Sequence, residues 1–164
     1  MKFEYFLQMK NLYFLVLIAF LLVQCASTEE VKQNETAEDF ANVLEVKANK
    51  NGDDFSFNVT IKSPDTGCDQ YADWWEVISE DEQLIYRRIL LHSHVDEQPF
   101  TRSGGPIEIE NNQNVWIRAH MNNNGFGGKT FHGSVENGFE VKDMPSDFAL
   151  DLENEEPLPD ECAF

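Results

Sequence analysis

The sequence predicts an all-β fold, a single antiparallel sandwich of two sheets built from six or seven short strands. Within residues 42–142, apolar and polar residues alternate with a period of two in several segments, as they do in strands with one buried face. Turn-forming residues separate these segments at intervals of about 8–12 residues. No helical period runs through the region, so a sandwich is the expected architecture.

The first predicted hairpin has the clearest pattern. Apolar residues occupy every second position in 44–48 and again in 55–61. The intervening turn at 49–53 contains Gly52, which can adopt the positive φ that a tight hairpin turn requires. Two antiparallel strands are therefore expected at the start of the domain.

The later strands follow the same logic. Residues 74–79 and 84–91 form a second predicted hairpin, and apolar residues of both parities suggest that both of its faces are covered. Further strands are predicted at 107–110, at 115–121, and within 129–135 or 139–142. The polar connection 92–105 is long for a compact domain, and such loops often carry function.

Two acidic segments flank this domain. Residues 25–41 hold five acids and one lysine, which is typical of a flexible tether. Residues 143–164 hold eight acids, three prolines and no lysine or arginine. This tail is expected to be extended, with its tip fixed by Cys162.

Cys68 and Cys162 form an even pair if Cys25 is modified separately, as proposed below. In an oxidising compartment a disulfide between them is expected, and two free thiols are the alternative. In the chain-entropy model, closing so long a loop contributes about 4–5 kcal/mol. The bridge would clip the acidic tail back onto the domain.

A secretory leader precedes the tether. Residues 12–24 form an almost unbroken apolar stretch after Lys10, and Cys25 follows at once with small and acidic residues behind it. A basic start, a short apolar segment and a small-residue exit are typical of a secretory signal, whereas a spanning helix needs about 20 apolar residues. The chain is therefore expected to leave the cytoplasm, with residues 1–24 as its signal peptide.

Leu22-Val23-Gln24-Cys25 resembles the lipobox of bacterial lipoproteins, although that family usually has Gly, Ala or Ser where Gln24 stands. The resemblance implies that Cys25 is diacylated and becomes the first mature residue, anchoring the protein in the cell envelope. The acids at 29–30 resemble the surface-export signal of lipoproteins in the Bacteroidetes group. Together these resemblances imply an outer-membrane lipoprotein, either periplasmic or surface-exposed.

The charge excludes several classes of partner. The chain has a formal net charge of −18, and loss of residues 1–24, with two lysines and one glutamate, makes it −19. Such a chain is repelled by nucleic acid and by anionic headgroups. No nucleic-acid role is expected, and the lipid would have to supply the membrane attachment.

A tryptophan on the third strand, Trp74 or Trp75, and a penultimate strand at 115–119 are similar to the pattern of immunoglobulin and fibronectin type III domains. The resemblance is architectural and covers residues 42–142. It implies a binding or structural domain without catalytic function. An envelope protein or a glycan is the expected kind of partner.

Histidines in the long connection suggest an alternative, a site for a divalent metal. His92 and His94 are two apart, so on an extended segment both rings project to one side. Glu97 could add a carboxylate, and His120 or His132 a third nitrogen. The competing interpretation is that these histidines hydrogen-bond the loop into place.

His92, His94, Glu97 and Gly104 also resemble part of the first motif of the cupin family. The resemblance implies a small metal-dependent barrel, an oxygenase or isomerase. The spacing departs from that motif, because only two residues separate His94 from Glu97. The sequence contains no nucleophile elbow and no phosphate-binding loop, so an enzyme is not the main expectation.

Trp116, Arg118 and His120 share the outward parity of their strand. If 107–110 is the neighbouring strand, Glu108 and Glu110 face the same side and pair with Arg118. The alternative is an exposed binding face.

In that alternative, Trp116 stacks on a sugar ring or anchors a partner protein, with Arg118 beside it. Tyr71 and Phe126, both in predicted loops, would extend the same surface. This arrangement would make the domain a carbohydrate-binding module.

Overall fold

The computed structural model describes residues 37–163. The signal peptide, Cys25 and the tether up to residue 36 lie outside the described residues. The strands are β1 (Asn42–Asn51), β2 (Asp54–Lys62), β3 (Ala72–Ser79), β4 (Leu84–Ile89), β5 (Phe100–Ile107), β6 (Val115–Met121), β7 (Phe131–Ser134) and β8 (Gly138–Val141). Two short 3₁₀ turns, Ala37–Asp39 and Leu150–Asn154, complete the regular structure of this part of the chain.

The strands form two antiparallel sheets, one in the order β1-β2-β5 and the other in the order β4-β3-β6-β7-β8. The predicted all-β two-sheet sandwich is confirmed. β2 lies between β1 and β5, and β6 lies between β3 and β7, as the corresponding strands do in immunoglobulin-like sandwiches. Residues 37–163 hold eight strands rather than the predicted six or seven, because both candidates for the last strand are present and pair as the hairpin β7-β8.

A cluster of buried apolar side chains forms the core between the two sheets. Phe57, Trp75 and Ile117 are fully buried there, and the Phe57 ring meets Phe139 edge-on at 5.2 Å between centroids. Full burial of one such side chain stabilises the fold by roughly 1.5–3 kcal/mol. The alternating pattern of the sequence therefore corresponds to this inner layer.

The first hairpin is confirmed, with a shorter turn than the predicted 49–53. The predicted burial of Leu44 is wrong: a β-bulge between Val43 and Glu45 shifts the register, so Val43 enters the core and Leu44 is exposed. Lys50 pairs with Phe55 and Asn51 with Asp54, which leaves a two-residue turn at 52–53. Gly52 has a φ of 68°, a value that L-residues with side chains rarely adopt.

The prediction of a loop over 92–105 is wrong in its second half. β5 begins at Phe100 and pairs with β2, not with β6. Gly104 sits inside the strand, where a Cβ would come within 2.8 Å of the rings of Trp75 and Tyr86. The absence of a side chain at Gly104 leaves room for these two aromatic rings. Because β5 begins at Phe100, the loop covers only residues 90–99.

Residues 143–163, which we call the strap, cross the outer face of the five-stranded sheet, the face turned away from the core. The predicted disulfide is present: Cys68 and Cys162 are bonded, with their Cα atoms 5.6 Å apart. The tail is therefore clipped back, and it packs against the sheet. Among residues 37–163, no helix is long and apolar enough to cross a membrane.

Candidate functional site

A buried ionic cluster lies at the centre of the outer face. One carboxylate oxygen of Glu76 (β3) accepts a hydrogen bond from Arg87 Nε (β4) at 2.8 Å. The other oxygen accepts one from Arg118 Nε (β6) at 2.7 Å. All three side chains are at most 2% exposed. Burial lowers the pKa of Arg118, against the opposing effect of the Glu76 charge. Two guanidinium groups share one carboxylate, so the cluster needs further acceptors.

The strap supplies those acceptors as backbone carbonyls. Arg118 donates to the carbonyl oxygens of Phe148 and Ala149, at 3.1 and 2.7 Å. Arg87 donates to the carbonyl oxygens of three further strap residues, Leu152, Glu155 and Pro157. The two arginines thus bind the strap through its backbone.

Aromatic rings cover the same face. Trp74 stacks on His120 with 3.6 Å between ring centroids, and the Arg87 guanidinium lies over the Trp74 ring at 4.6 Å from its centroid. The Arg118 guanidinium lies 3.5 Å from the centroid of Phe126. Cation–π contacts of this kind stabilise each arginine by roughly 0.5–2 kcal/mol.

His120 is held between two carboxylates. Its Nδ1 lies 2.7 Å from Asp73, and its Nε2 is 3.5 Å from Glu153 of the strap. The imidazole is buried between Trp74 and Phe126. It therefore contributes to the surface on which the strap lies.

The prediction that Trp116 is exposed is wrong. Trp116, Arg118 and His120 do point outward from the core, but the strap covers them and Trp116 is only 6% exposed. Its ring contacts Phe148 of the strap at 5.7 Å and His132 of β7 at 4.5 Å. The parity rule identified the face correctly, yet it could not show that a distant segment covers it.

The predicted cross-strand pairing of Arg118 with Glu108 and Glu110 is also wrong. Both glutamates follow β5, which belongs to the other sheet. Arg118 pairs instead with Glu76 on its true neighbour β3.

The other proposed ligand-binding residues occupy different settings. Phe126 is half-buried under Arg118, at the edge of a cleft of about 390 Å³ that Met144 and Ser146 of the strap also line. Tyr71 is buried, and this burial, with Asp73 and Asp65 nearby, raises the pKa of its hydroxyl. Neither Tyr71 nor Trp116 offers a free ring face, so the geometry does not favour sugar stacking here.

His92 and His94 lie next to each other, as their spacing suggested, with ring centroids 4.6 Å apart. They stand in loop 90–99 rather than on a strand. His92 is exposed, whereas His94 is buried and stacks on Phe100 at 3.8 Å. Burial lowers the pKa of His94, and the positive charge of Arg102 adds to the effect.

Asp65 ties this loop to its neighbour. Its Oδ1 accepts hydrogen bonds from the Ser63 hydroxyl at 2.6 Å and the Ala72 amide at 3.0 Å, and its Oδ2 accepts one from the His94 amide at 2.7 Å. The His94 ring itself is 3.9 Å from Asp65, beyond hydrogen-bond distance. The loop is thus held by its backbone and by Asp65, while the imidazole fills space beside Phe100.

The proposed metal ligands do not converge. Glu97 binds Arg102 at 2.8 Å, an interaction that lowers the pKa of the carboxylate, and His132 binds Glu80. His120 belongs to the outer face. Within residues 37–163, no three His, Cys, Asp or Glu side chains form a group that could hold a metal ion. The two separate sheets likewise differ from the single barrel that the cupin resemblance implied.

Sequence reasoning overlooked the charged residues that organise the outer face, namely Glu76, Arg87 and Asp73. A signal was available. The stretch around Glu76 has apolar residues of both parities, which predicts a strand covered on both faces. A charged residue in such a strand is buried, and a buried charge requires a partner.

Comparison with known proteins shows a similarity over part of the chain. A 75-residue stretch is 41% identical to a protein of Halomicrobium mukohataei that bears the name "Putative lipoprotein". The match covers 45% of this chain and 36% of that protein, so the chain matches about a third of its relative's length. No family model matches the chain, and no solved structure matches it.

Proposed function

We propose that this chain is a lipid-anchored protein of the cell envelope whose sandwich binds or supports another envelope component without catalysing a reaction. The observation that carries the proposal is the Cys68–Cys162 disulfide, since structural disulfides persist mainly in oxidising compartments outside the cytoplasm. It accounts for two of the three cysteines and leaves Cys25 for the lipid. The name of the relative, a lipoprotein, supports the same assignment.

The outer-face geometry supports a non-catalytic role. The polar groups that could have formed a site, Glu76, Arg87 and Arg118, bind one another and the strap backbone. Groups saturated in this way stabilise a structure, whereas catalytic groups must be free to meet a substrate. The sandwich is therefore proposed to present its loops and surface to a partner protein or glycan.

Mass spectrometry of the protein expressed in a bacterial host tests the proposal. The N-terminal peptide of membrane-extracted protein should begin at Cys25 with a diacylglyceryl group on the thiol. The Cys25→Ser variant should lose the lipid and appear in the aqueous fraction. Recovery of the wild-type chain from the cytosol with an intact leader and no acyl group would refute lipid anchoring.

Placement in the outer membrane is the finer part of the proposal, and it follows from the resemblance of residues 29–30 to a surface-export signal. Protease treatment of whole cells separates the two orientations. A surface-exposed domain should be degraded in intact cells. Complete protection until the outer membrane is permeabilised would place the domain in the periplasm.

A further inference from the structure

The strap occupies the outer face in the way that a bound peptide occupies a groove. It contributes no strand to either sheet, and its regular structure is the single 3₁₀ turn Leu150–Asn154. Ala149 and Leu152 enter an apolar cluster with Ile78 and Trp116 of the sheet. The strap is therefore an extended segment with one apolar anchor site, a common form of peptide recognition.

The polar contacts fit this picture. Arg87 and Arg118 bind five strap carbonyl oxygens, and Glu82 of the β3–β4 turn accepts a 2.9 Å hydrogen bond from the Ala149 amide. Contacts to backbone groups recognise an extended chain as such and place it in register. They do not depend on whether that chain is part of the same molecule.

We propose that the outer face also accepts the strap of a second copy of this chain, so that two copies exchange straps and are joined through Cys68 of one and Cys162 of the other. The one peptide sequence known to fit the groove is the strap, whose Leu152 enters the apolar cluster and whose Cys162 reaches Cys68. Exchange takes place before the intramolecular bond forms, or after a dithiol has reduced it. The thiols of Cys68 in one copy and Cys162 in the other then form the intermolecular disulfide. Glutathione disulfide accepts their two electrons and two protons and is reduced to two molecules of glutathione.

The local concentration of straps decides whether a strap docks on its own sandwich or on that of a second copy. A strap attached to its own sandwich has an effective concentration on the order of millimolar, so dilute protein closes on itself. Lipid anchors would concentrate copies on a membrane, where exchange of straps between copies would compete with closure within one copy. Only this crowding argument rests on the proposed function; the docking itself does not require a lipid.

Two complementary variants isolate the exchange. Full chains carrying Cys25→Ser are prepared with either Cys68→Ser or Cys162→Ser, so neither can close its own disulfide. The reduced proteins are mixed and oxidised with glutathione disulfide. We expect a disulfide-linked heterodimer as the main product, with the Cys68–Cys162 bond located by peptide mapping. Glutathione-capped monomers as the main product would overturn the proposal.

The Leu152→Asp substitution distinguishes docking from random collision. Placed on the chain that donates Cys162, it should lower the heterodimer yield by at least about tenfold, since an unpaired carboxylate would enter the apolar cluster. Placed on the chain that donates Cys68, it should raise the yield, because that chain's own strap then leaves the groove. Equal yields in both placements would overturn the proposal, and the second placement shows that the variant sandwich still folds.

Discussion

The two faces of the five-stranded sheet are covered by different chemistry. The inner face packs against β1, β2 and β5 through a cluster of buried apolar side chains. The outer face holds a charged trio, Glu76, Arg87 and Arg118, and is covered by an irregular acidic strap. Burial drives the first interface, whereas specific pairing and a disulfide hold the second. The contrast shows that one sheet can carry both a generic core and a specific docking groove.

The largest effect is expected from a change to the inner layer. Phe57→Ala removes a fully buried ring and should lower the free energy of unfolding by about 3–5 kcal/mol. Urea denaturation followed by tryptophan fluorescence measures the loss. Leu44→Ala, at a side chain that is 40% exposed, is the control and should change stability by roughly 0.5 kcal/mol or less. A small effect of Phe57→Ala would mean that the inner layer is not the main source of stability.

A change to the charged trio should cause the next largest loss in the free energy of unfolding. Glu76→Gln leaves Arg87 and Arg118 buried without a compensating charge, and should cost about 3 kcal/mol. Equilibrium denaturation provides the measurement. Glu45→Gln, in the exposed pair with Lys47, should cost less than about 1 kcal/mol. If the two substitutions cost the same, the trio contributes no more than a surface ion pair.

Removal of the disulfide should weaken the outer layer without affecting the inner one. Cys162→Ser is expected to cost about 2–4 kcal/mol, since the bond closes a loop between residues 94 positions apart. Cys68→Ser should cost the same, because each variant removes the same bond. The double variant should be no worse than either single one. A clear difference between the two single variants would show that one cysteine has a second role.

The smallest predicted effect concerns pH and the edge of the inner layer. Burial lowers the pKa of His94 below its ordinary value of 6.5. Between these two pKa values, the unfolded chain therefore binds a proton at His94 and the folded chain does not. The free energy of unfolding should therefore fall as the pH drops through 6.5 towards the lowered pKa. His94→Asn should reduce this pH dependence, as measured by denaturation across that range.

Ile117→Val is the matched control for this experiment. It removes one methylene from a fully buried side chain of the core and should lower stability at every pH by about 0.5–1.5 kcal/mol while keeping the slope. If His94→Asn leaves the slope between neutral and mildly acidic pH unchanged, burial does not control the protonation of this histidine.

The inner layer could be predicted from the sequence because its signal is local. Residues 55–61 alternate in polarity, and the structure places their apolar members in the core. Both histidines of loop 90–99 were correctly expected to be neighbours. The start of β5 was missed because residues 101–105 are polar or glycine and show no apolar alternation.

The outer layer could not be predicted in the same way. The outward parity of Trp116 and Arg118 was evident, but parity does not distinguish a face open to water from one covered by a strap 30 residues further along the chain. Only the cysteine count pointed to the strap, since it indicated that the tail returns to the domain.

The sequence by itself determined the two-sheet architecture, the first hairpin and the Cys68–Cys162 pair. The strands and the hairpin are encoded locally, by the alternation of apolar and polar residues and by the turn residues. The cysteine pair follows from the number of cysteines once Cys25 is set aside. Tertiary structure alone decided that Glu76 joins Arg87 and Arg118, and that the strap covers them. Those contacts connect β3, β4, β6 and the tail, and their formation depends on the three-dimensional path of the chain. No local pattern encodes that path.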